Sequence, residues 1–276
     1  MKTITDTLKV SRSNQWNRKK NPQKPKLKYG QYLSDADILI EIREIISCRM
    51  SYGYRRIAAI LNRRKKSAGD KLINHKKIYR IMRANHLLLQ KATAKPTYNH
   101  DGKIITPKSN MRWCSDGFEI KCDNGEKVRA AFSLDCCDRE IISFVSTNQG
   151  ISGEMVRDLI AESVEKRFGK INKLNQPLEW LTDNGSCYVA GQTVLFAKNL
   201  GMTVCTTNYC SPESNGMAES FVKTFKRDYV QWGDLSCADA VFKQLPAWFE
   251  DYNNYHPHQG LNMLSPKEYI KQINLA

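Results

Sequence analysis

Between residues 34 and 90, three short segments carry apolar residues at helical spacing. Ser34 precedes the first segment as an N-cap, and Asn74 precedes the third in the same way. The repeated three- and four-residue steps predict three short helices that pack through their apolar faces. The apolar positions are Ile38, Ile42, Ile45 and Ile46 in the first segment, Ile57, Ile60 and Leu61 in the second, and Ile78, Ile81 and Met82 in the third.

From residue 110 the pattern changes to one typical of strands. Asn124-Gly125 separates the first two strand candidates, and Asn-Gly tolerates the positive φ that tight hairpins need. Three strands, a helix, a strand, a helix, a strand and two helices follow in order. This order predicts an α/β, ribonuclease H-like, mixed five-stranded sheet with flanking helices. The predicted strands are 112–122, 127–137, 140–147, 178–183 and 202–207, and the predicted helices are 153–168, 193–201, about 213–230 and about 237–252.

Composition divides the chain into four parts. Many lysines and two prolines make residues 1–33 a basic flexible arm. Residues 91–109 contain Pro96, Gly102 and Pro107 with little periodicity, which predicts a linker. The three predicted helices then form a small domain over 34–90, and residues 110–276 form the α/β core with C-terminal helices.

Charge separates these parts further. The net charge is +15, and residues 1–108 hold 26 Lys and Arg against 7 Asp and Glu, whereas residues 109–276 have a net charge of −4. A concentrated basic region indicates a polyanion partner, most often nucleic acid. Three short helices with a basic last one outline a helix-turn-helix-like DNA-binding domain, and a bundle that packs on the next domain is the alternative. The candidate DNA-contacting residues here are Arg55, Arg56, Lys76, Lys77, Arg80 and Arg83.

Other classes of protein are disfavoured. No apolar run reaches the ~20 residues that span a bilayer, and no signal peptide is evident, so we expect a cytoplasmic, nucleoid-associated protein. The nine cysteines are odd in number and scattered, without a C-x-x-C pair, which indicates small buried thiols rather than disulfides or a zinc site.

Three acidic residues are candidates for metal chemistry. Asp116 lies on the first predicted strand, Asp183 ends the fourth, and Glu219 lies on the long helix that follows. Mg²⁺ and Mn²⁺ prefer oxygen ligands, and a pair of such ions can activate a nucleophile and stabilise the leaving oxygen of a phosphodiester. Taken singly, each acid could equally be a cap, a turn residue or a surface charge.

The long helix places lysines beside its acid. Glu219, Lys223 and Lys226 recur at three- and four-residue steps and therefore share one face with Gly216 and Ser220. A carboxylate ligand followed by lysines suits a DNA terminus next to a metal site. A simple Glu–Lys pair on a solvated helix is the alternative.

Several other residues compete for these roles. Asp135 and Asp138 lie on or after the second strand, and Glu119 does not share a face with Asp116. Glu213 is better explained as a charge favourable to the helix dipole. We expect a structural turn at His256 and His258, and the tryptophans Trp180, Trp232 and Trp248 are predicted to lie in the core.

Three motifs resemble those of a known family. W-C-S-D surrounds Asp116, T-D-N-G surrounds Asp183, and S-P-E-S-N-G-x-A-E-S-F-x-K-x-x-K-R surrounds Glu219. Together they resemble the DDE transposases of the retroviral-integrase superfamily, and most closely the second-frame (OrfB) protein of the insertion-sequence-three family, insertion-sequence-two group. The stretches YGYRRI and NHKKIYRIM resemble its helix-turn-helix-like segment, and YNNYHPHQGLNMLSP its closing motif, so the resemblance covers about residues 35 to 270.

The resemblance implies a function and its residues. Asp116, Asp183 and Glu219 would be the catalytic metal ligands for two Mg²⁺ or Mn²⁺ ions. The enzyme would nick insertion-sequence ends, and the freed 3′-OH would attack a second phosphodiester. Lys226 would contact DNA, and Lys223 and Arg227 are candidates beside it. The implied partners are double-stranded DNA of the element ends and target, an upstream-frame helix-turn-helix protein or fusion, and further copies of the chain.

Two other functions stay open from the sequence. The chain could be a DNA-binding regulator with an inactive core, which three intact acids disfavour. It could also be a structure-selective nuclease of the same fold, which has no need of a basic N-terminal domain or of the spacing from Glu219 to Lys226.

Overall fold

A computed structural model describes residues 34–90, 106–170, 172–206 and 215–274. The predicted arm, most of the predicted linker and Glu213 lie outside the described residues. The N-terminal part consists of three helices, as predicted. They are α1 (Asp35–Cys48), α2 (Tyr54–Ser67) and α3 (His75–Ala84).

Both predicted N-caps are confirmed. The Ser34 hydroxyl accepts a hydrogen bond from the Asp37 backbone N–H at 3.1 Å, and the Asp37 carboxylate accepts from the Ser34 N–H, which completes a capping box. The Asn74 side chain accepts from the Lys76 N–H at 2.9 Å. These caps satisfy backbone donors that a helix leaves free at its first turn.

The three helices enclose one small apolar core. Ile42, Ile57, Leu61 and Ile78 are completely buried in it, and Tyr52 joins them from the α1–α2 connection. Full burial of each aliphatic side chain contributes about 1.5–3 kcal/mol. The predicted apolar faces therefore hold this domain together.

The second part is built on a mixed sheet of five strands: β1 (Arg112–Lys121), β2 (Lys127–Asp135), β3 (Ile141–Thr147), β4 (Leu178–Thr182) and β5 (Met202–Thr206). Their order in the sheet is β3-β2-β1-β4-β5. β1, β2 and β3 are antiparallel neighbours, whereas β1–β4 and β4–β5 are parallel pairs. This confirms the predicted ribonuclease H-like architecture.

Helices cover both faces of the sheet. Successive strand residues point to opposite faces. Cys114 therefore joins the core under α7 (Gly216–Asp228) and α8 (Ala238–Tyr255), while Trp113 joins the core under α4 (Gly153–Phe168) and α6 (Gly191–Asn199). On the first face, Phe132, Phe221 and Phe225 form an aromatic cluster. The helices of this part are α4 (Gly153–Phe168), α5 (Ser186–Val189), α6 (Gly191–Asn199), α7 (Gly216–Asp228), α8 (Ala238–Tyr255) and α9 (Pro266–Asn274).

Two tight turns use unusual backbone conformations. Gly125 has φ of +87° in the β1–β2 hairpin, where the Asn124 side chain accepts from the Glu126 N–H, so the predicted turn is confirmed. Arg139 has φ of +65° between β2 and β3, a conformation that non-glycine residues seldom adopt. Its N–H bonds to the Asp135 carbonyl at 3.0 Å.

Some expectations are corrected. Helix α5 is only four residues long, too short to show a periodicity, and it was not predicted. Trp180 is buried as expected, but the prediction for Trp232 is wrong, because 48% of its surface is exposed. Its indole N–H donates to the Arg227 carbonyl at 3.1 Å instead of packing in the core. Cys48 is likewise exposed rather than buried.

In the described part of the chain, no helix combines the length and apolar character that crossing a membrane requires.

The helical domain contacts the core through polar side chains. Arg56 on α2 pairs with Asp228 at the end of α7, and Arg63 pairs with Glu268 on α9. Arg49 pairs with Asp251 on α8. Part of the basic surface predicted for the helical domain is therefore used inside the molecule, so the bundle does pack on the next domain.

Candidate active site

The register of two parallel strands brings Asp116 and Asp183 together. Cys114 on β1 is paired with Leu181 on β4. Asp116 and Asp183 each lie two residues further along the chain, so they share one face at the carboxyl end of β4. β4 ends at Thr182, and the chain turns away there, which opens this edge of the sheet to a ligand.

Helix α7 supplies the third carboxylate. Glu219 lies in its first turn, while Ala218, Phe221 and Phe225 bury the opposite side of the helix against the sheet. Asn215, just before α7, is buried and donates its side-chain N–H to the Ser115 carbonyl at 3.4 Å. The start of the helix is thereby fastened to β1 beside Asp116.

The three carboxylates share one electrostatic environment. Burial, together with the charges of Asp183 and Glu219, raises the pKa of Asp116 to about 6. The Gly117 backbone N–H, which donates to Asp116 Oδ1 at 2.7 Å, opposes the shift. A site where burial and like charges disfavour ionisation is one that a bound cation would stabilise.

Each carboxylate is also held by its own neighbours. Asp183 Oδ1 accepts from the Gly185 N–H at 3.0 Å, and Glu219 Oε2 lies 3.5 Å from Lys223 Nζ. Among the residues that the structure describes, no three His, Cys, Asp or Glu side chains converge closely enough to hold a metal ion as they stand. The donor chemistry nevertheless fits a hard divalent cation, because all three side chains offer carboxylate oxygens.

Gly185 permits the tight turn after β4. A Cβ at this position would lie 3.0 Å from Asp183 Oδ1 and 3.3 Å from the Tyr188 ring. A side chain would therefore press on the carboxylate and on the ring below it. This explains why glycine follows Asp183-Asn184 in the T-D-N-G motif.

Two buried hydroxyl groups beneath these carboxylates were not predicted from the sequence. The Ser115 hydroxyl donates to the Phe132 carbonyl at 2.7 Å and lies 3.3 Å from the Tyr188 hydroxyl. Burial raises the pKa of Tyr188, which therefore stays a neutral phenol. Tyr188 lies on α5, whose four residues leave no periodic signal, so only its place after the T-D-N-G motif could have indicated it.

The competing acids have partners within the fold. Asp135 accepts backbone N–H groups of Asn110 and Cys137, and Asp138 binds Arg167 through both carboxylate oxygens. Both side chains are completely buried. These bonds stabilise the β2–β3 turn and account for both acids without a metal. Glu119 pairs with Lys127 and Arg129 across the hairpin.

Several of the candidate DNA-contacting residues have an acidic partner within the fold. Most are exposed, but Arg56 and Arg227 both bond to the buried Asp228, and Lys77 and Arg80 both pair with Asp35. The exposed members are Arg55, Lys76, Arg80, Arg83, Lys223, Lys226 and Arg227.

Neither histidine is exposed on the surface, and His258 is partly buried. His256 is completely buried, and its Nδ1 lies 2.9 Å from the Tyr52 hydroxyl. Burial lowers the pKa of His256 well below its usual value and the pKa of His258 to about 3. Both rings contact Tyr252.

A sheet in this order, with acids on β1, after β4 and on α7, defines the integrase-core class of polynucleotidyl transferases. Models of the integrase core domain match residues 106–212 and 200–266, and a model of an HTH-like domain matches residues 33–95. The chain is 47% identical over 246 residues to the Escherichia coli transposase InsD for insertion element IS2A/D/F/H/I/K, covering 88% of this chain and 81% of that protein. The chain therefore belongs to the family of insertion-element transposases with an integrase core.

Two further similarities were found. The transposase InsD for insertion element IS2-9 of Escherichia coli strain K12 is 47% identical over the same length, covering 88% of this chain and 80% of that protein. Among solved structures, the catalytic core domain of BIV integrase aligns with a TM-score of 0.43 and 16% identity, over 60% of this chain and 97% of that chain. The family membership rests on the transposases. Cores of this family use a divalent metal, and a transposase with an HTH-like domain binds DNA.

Proposed function

We propose that Asp116, Asp183 and Glu219 bind two Mg²⁺ or Mn²⁺ ions and that the chain uses this site to nick insertion-sequence ends and join them to DNA. The observation that carries the proposal is electrostatic. Asp116 experiences the charges of both other carboxylates, although the three lie far apart along the chain. Three acids gathered at the open end of two parallel strands have no evident structural purpose.

The chain's own residues have separable tasks in this reaction. Bound ions would activate the attacking oxygen and stabilise the leaving oxygen of the phosphodiester. Asp116, Asp183 and Glu219 would hold the positive charge in place, and Asn215 and Tyr188 would keep their elements in position. Lys223 and Lys226, exposed on the face of Glu219, would neutralise phosphates of the bound strand.

The partners follow from the same chemistry. We propose that the helical domain of residues 34–90 binds double-stranded DNA and that residues 91–109 link it to the core of residues 110–276. Joining two DNA ends requires two active sites, so the working form is a homo-oligomer on DNA. An upstream-frame helix-turn-helix segment would recognise the element ends, and the basic arm of residues 1–33 would add non-specific affinity.

The decisive test replaces one carboxylate by its amide. Asp183→Asn keeps the size and the turn at Gly185 but removes the negative charge, so Mn²⁺-dependent nicking of a labelled element end should be lost while DNA binding persists. Asp158→Asn, an exposed acid on α4, is the matched control and should nick normally. Nicking by the Asp183→Asn variant would overturn the assignment.

The same assay separates the other two functions. Nicked products that are never joined to a second strand would indicate a structure-selective nuclease. DNA binding without any metal-dependent nicking by the unmodified chain would indicate a regulator with an inactive core. Nicked and joined products together support the transposase reaction.

A further inference from the structure

A polar cavity of about 300 Å³ borders α7 on the side next to the face of Glu219. Four parts of the chain line it: α2, the β2–β3 turn, α7, and the segment from α8 to the turn at Gln259–Leu261. Ser220 and Gln259 are exposed at its rim, so the cavity opens to solvent. We call it the Arg139 pocket.

Arg139 brings a positive charge into the pocket. Its Nε is buried and has no hydrogen-bond partner in the described part of the chain, and a terminal nitrogen contacts the Met217 sulfur. Within the described residues, Arg139 forms no ion pair with a carboxylate. A guanidinium has five N–H donors and always carries its charge, so a site of this kind favours an anion with several acceptor oxygens.

Two imidazoles line the same cavity. The Nε2 atoms of His256 and His258 are both buried, and neither has a hydrogen-bond partner among the described residues. When the Tyr52 hydroxyl donates to His256 Nδ1, the proton of the neutral ring lies on Nε2, which then is a donor toward the pocket. Buried polar atoms are rarely left unpaired, so His256 Nε2 points to a missing acceptor, and His258 Nε2 is a second polar atom free to bind a ligand.

The remaining polar groups of the pocket suit the same ligand. Ser220 and Thr224 on α7 each offer a hydroxyl donor, and Gln259 offers an amide. Arg56 adds a second guanidinium, although one of its nitrogens is bonded to Asp228 at 2.9 Å. The lining therefore combines two cations with neutral donors, and its volume accommodates a tetrahedral phosphate.

We propose that the Arg139 pocket binds a backbone phosphate of the DNA strand that runs past the active site. The inference rests on the proposed function, because α7 carries both Glu219 and the Ser220 and Thr224 hydroxyls that line the pocket. A phosphate held here would fix the position of the strand relative to the carboxylates. It would also link the helical domain, through Arg56, to the same strand.

The test uses the full chain and element-end DNA in which one backbone phosphate at a time is replaced by a neutral methylphosphonate. DNA binding is measured in Ca²⁺ without turnover. With the unmodified chain, one linkage near the cleavage position should weaken binding about tenfold or more, as expected for a charge-assisted contact. Arg139→Gln should bind unmodified DNA about tenfold more weakly and lose the sensitivity to that linkage.

Controls keep the result specific. Arg129→Gln removes an arginine of the same sheet that pairs with Glu119, and it should retain the full methylphosphonate pattern. If Arg139→Gln fails to fold by circular dichroism, the Ser220→Ala/Thr224→Val variant tests the same linkage from the other wall. The proposal is wrong if Arg139→Gln keeps its sensitivity to every linkage, so that the losses of affinity from the substitution and from each methylphosphonate are additive.

Two further measurements distinguish failure of the DNA assignment of the pocket from failure of the active-site assignment. In the first, the unfolding temperature of the chain is measured in inorganic phosphate and in chloride at equal ionic strength. If phosphate raises this temperature more than chloride and no DNA linkage is sensitive, the pocket is a free-anion site and the DNA assignment is wrong. Asp183→Asn should keep the methylphosphonate pattern while losing cleavage. Cleavage by Asp183→Asn would therefore count against the active-site assignment alone.

Discussion

Arg56 of the helical domain and Asp228 at the end of α7 form an ion pair, 2.9 Å between Nη1 and Oδ2, in which the Asp228 side chain is fully buried. Arg227 bonds both oxygens of the same carboxylate. Because Glu219 lies on the same helix as Asp228, the pair joins the helical domain directly to the helix of the candidate active site. A residue with the sequence signature of a DNA contact therefore has an internal partner.

The first prediction concerns this pair. Arg56→Ala should lower the free energy of unfolding by about 1–3 kcal/mol, less than a fully orphaned buried charge would cost, because Arg227 still neutralises Asp228. A double-mutant cycle with Asp228→Asn, measured by urea unfolding, should show a clear coupling energy. Strictly additive effects would mean that the two residues do not stabilise each other.

The pair also marks what the sequence could predict and what it could not. Apolar periodicity was enough to predict α1, α2, α3 and the five strands, because local side-chain spacing determines which face is buried. Asp116, Asp183 and Glu219 were recognisable because family motifs surround each of them. Arg56 and Asp228 are 172 residues apart, and no local pattern encodes such a contact. The same holds for Arg139 and the histidines of its pocket.

A second prediction concerns Gly233, which follows the short turn after α7. A Cβ at this position would overlap the ring carbons Cζ2 and Cη2 of Trp248 on α8. Gly233→Ala should therefore destabilise the fold by about 1–3 kcal/mol, as overpacking does. Chemical unfolding measures this loss directly.

Both a rescue and a control sharpen this second prediction. Trp248→Phe removes the two overlapping carbons, so the Gly233→Ala/Trp248→Phe variant should lose less stability than the sum of the single changes. At Gly191 a Cβ would meet nothing within 4 Å, and Gly191→Ala should be neutral or slightly stabilising. Equal losses for the two alanine variants would show that the overlap with Trp248 is not the cause.

The third prediction is a loss of stability in mild acid. Burial, aided by Arg56 and Arg139, lowers the pKa of His258 to about 3, whereas an unfolded histidine titrates near about 6.5. Between these values the unfolded chain binds more protons than the folded chain, so stability is complete above about pH 6.5 and falls as the pH decreases. The loss due to His258 should reach about 1–2 kcal/mol near pH 5.

The contribution of His258 is isolated by comparing how the unfolding free energy depends on pH in the unmodified chain and in His258→Gln. Asp116 has a raised pKa and acts in the opposite sense at acid pH, so the total pH dependence is a sum of several groups. His258→Gln cannot be protonated, and its unfolding free energy should change less with pH than that of the unmodified chain. Parallel curves for the two proteins would contradict a neutral buried His258.

The last prediction uses salt to locate the DNA surface of the helical domain. Lys76 and Arg83 on α3 are exposed, and neither forms an ion pair within the described part of the chain, whereas Lys77 and Arg80 on the same helix pair with Asp35. If the two unpaired cations contact phosphates, Lys76→Ala/Arg83→Ala should reduce the slope of log K against log salt by about two, because each phosphate contact releases about one counterion.

Lys170→Ala/Lys198→Ala removes the same charge from exposed positions of the core and should leave the slope nearly unchanged. Mobility shifts of full-length protein on duplex DNA over a range of salt concentrations measure both slopes, and equal slopes for the two double variants would place the DNA elsewhere on the molecule.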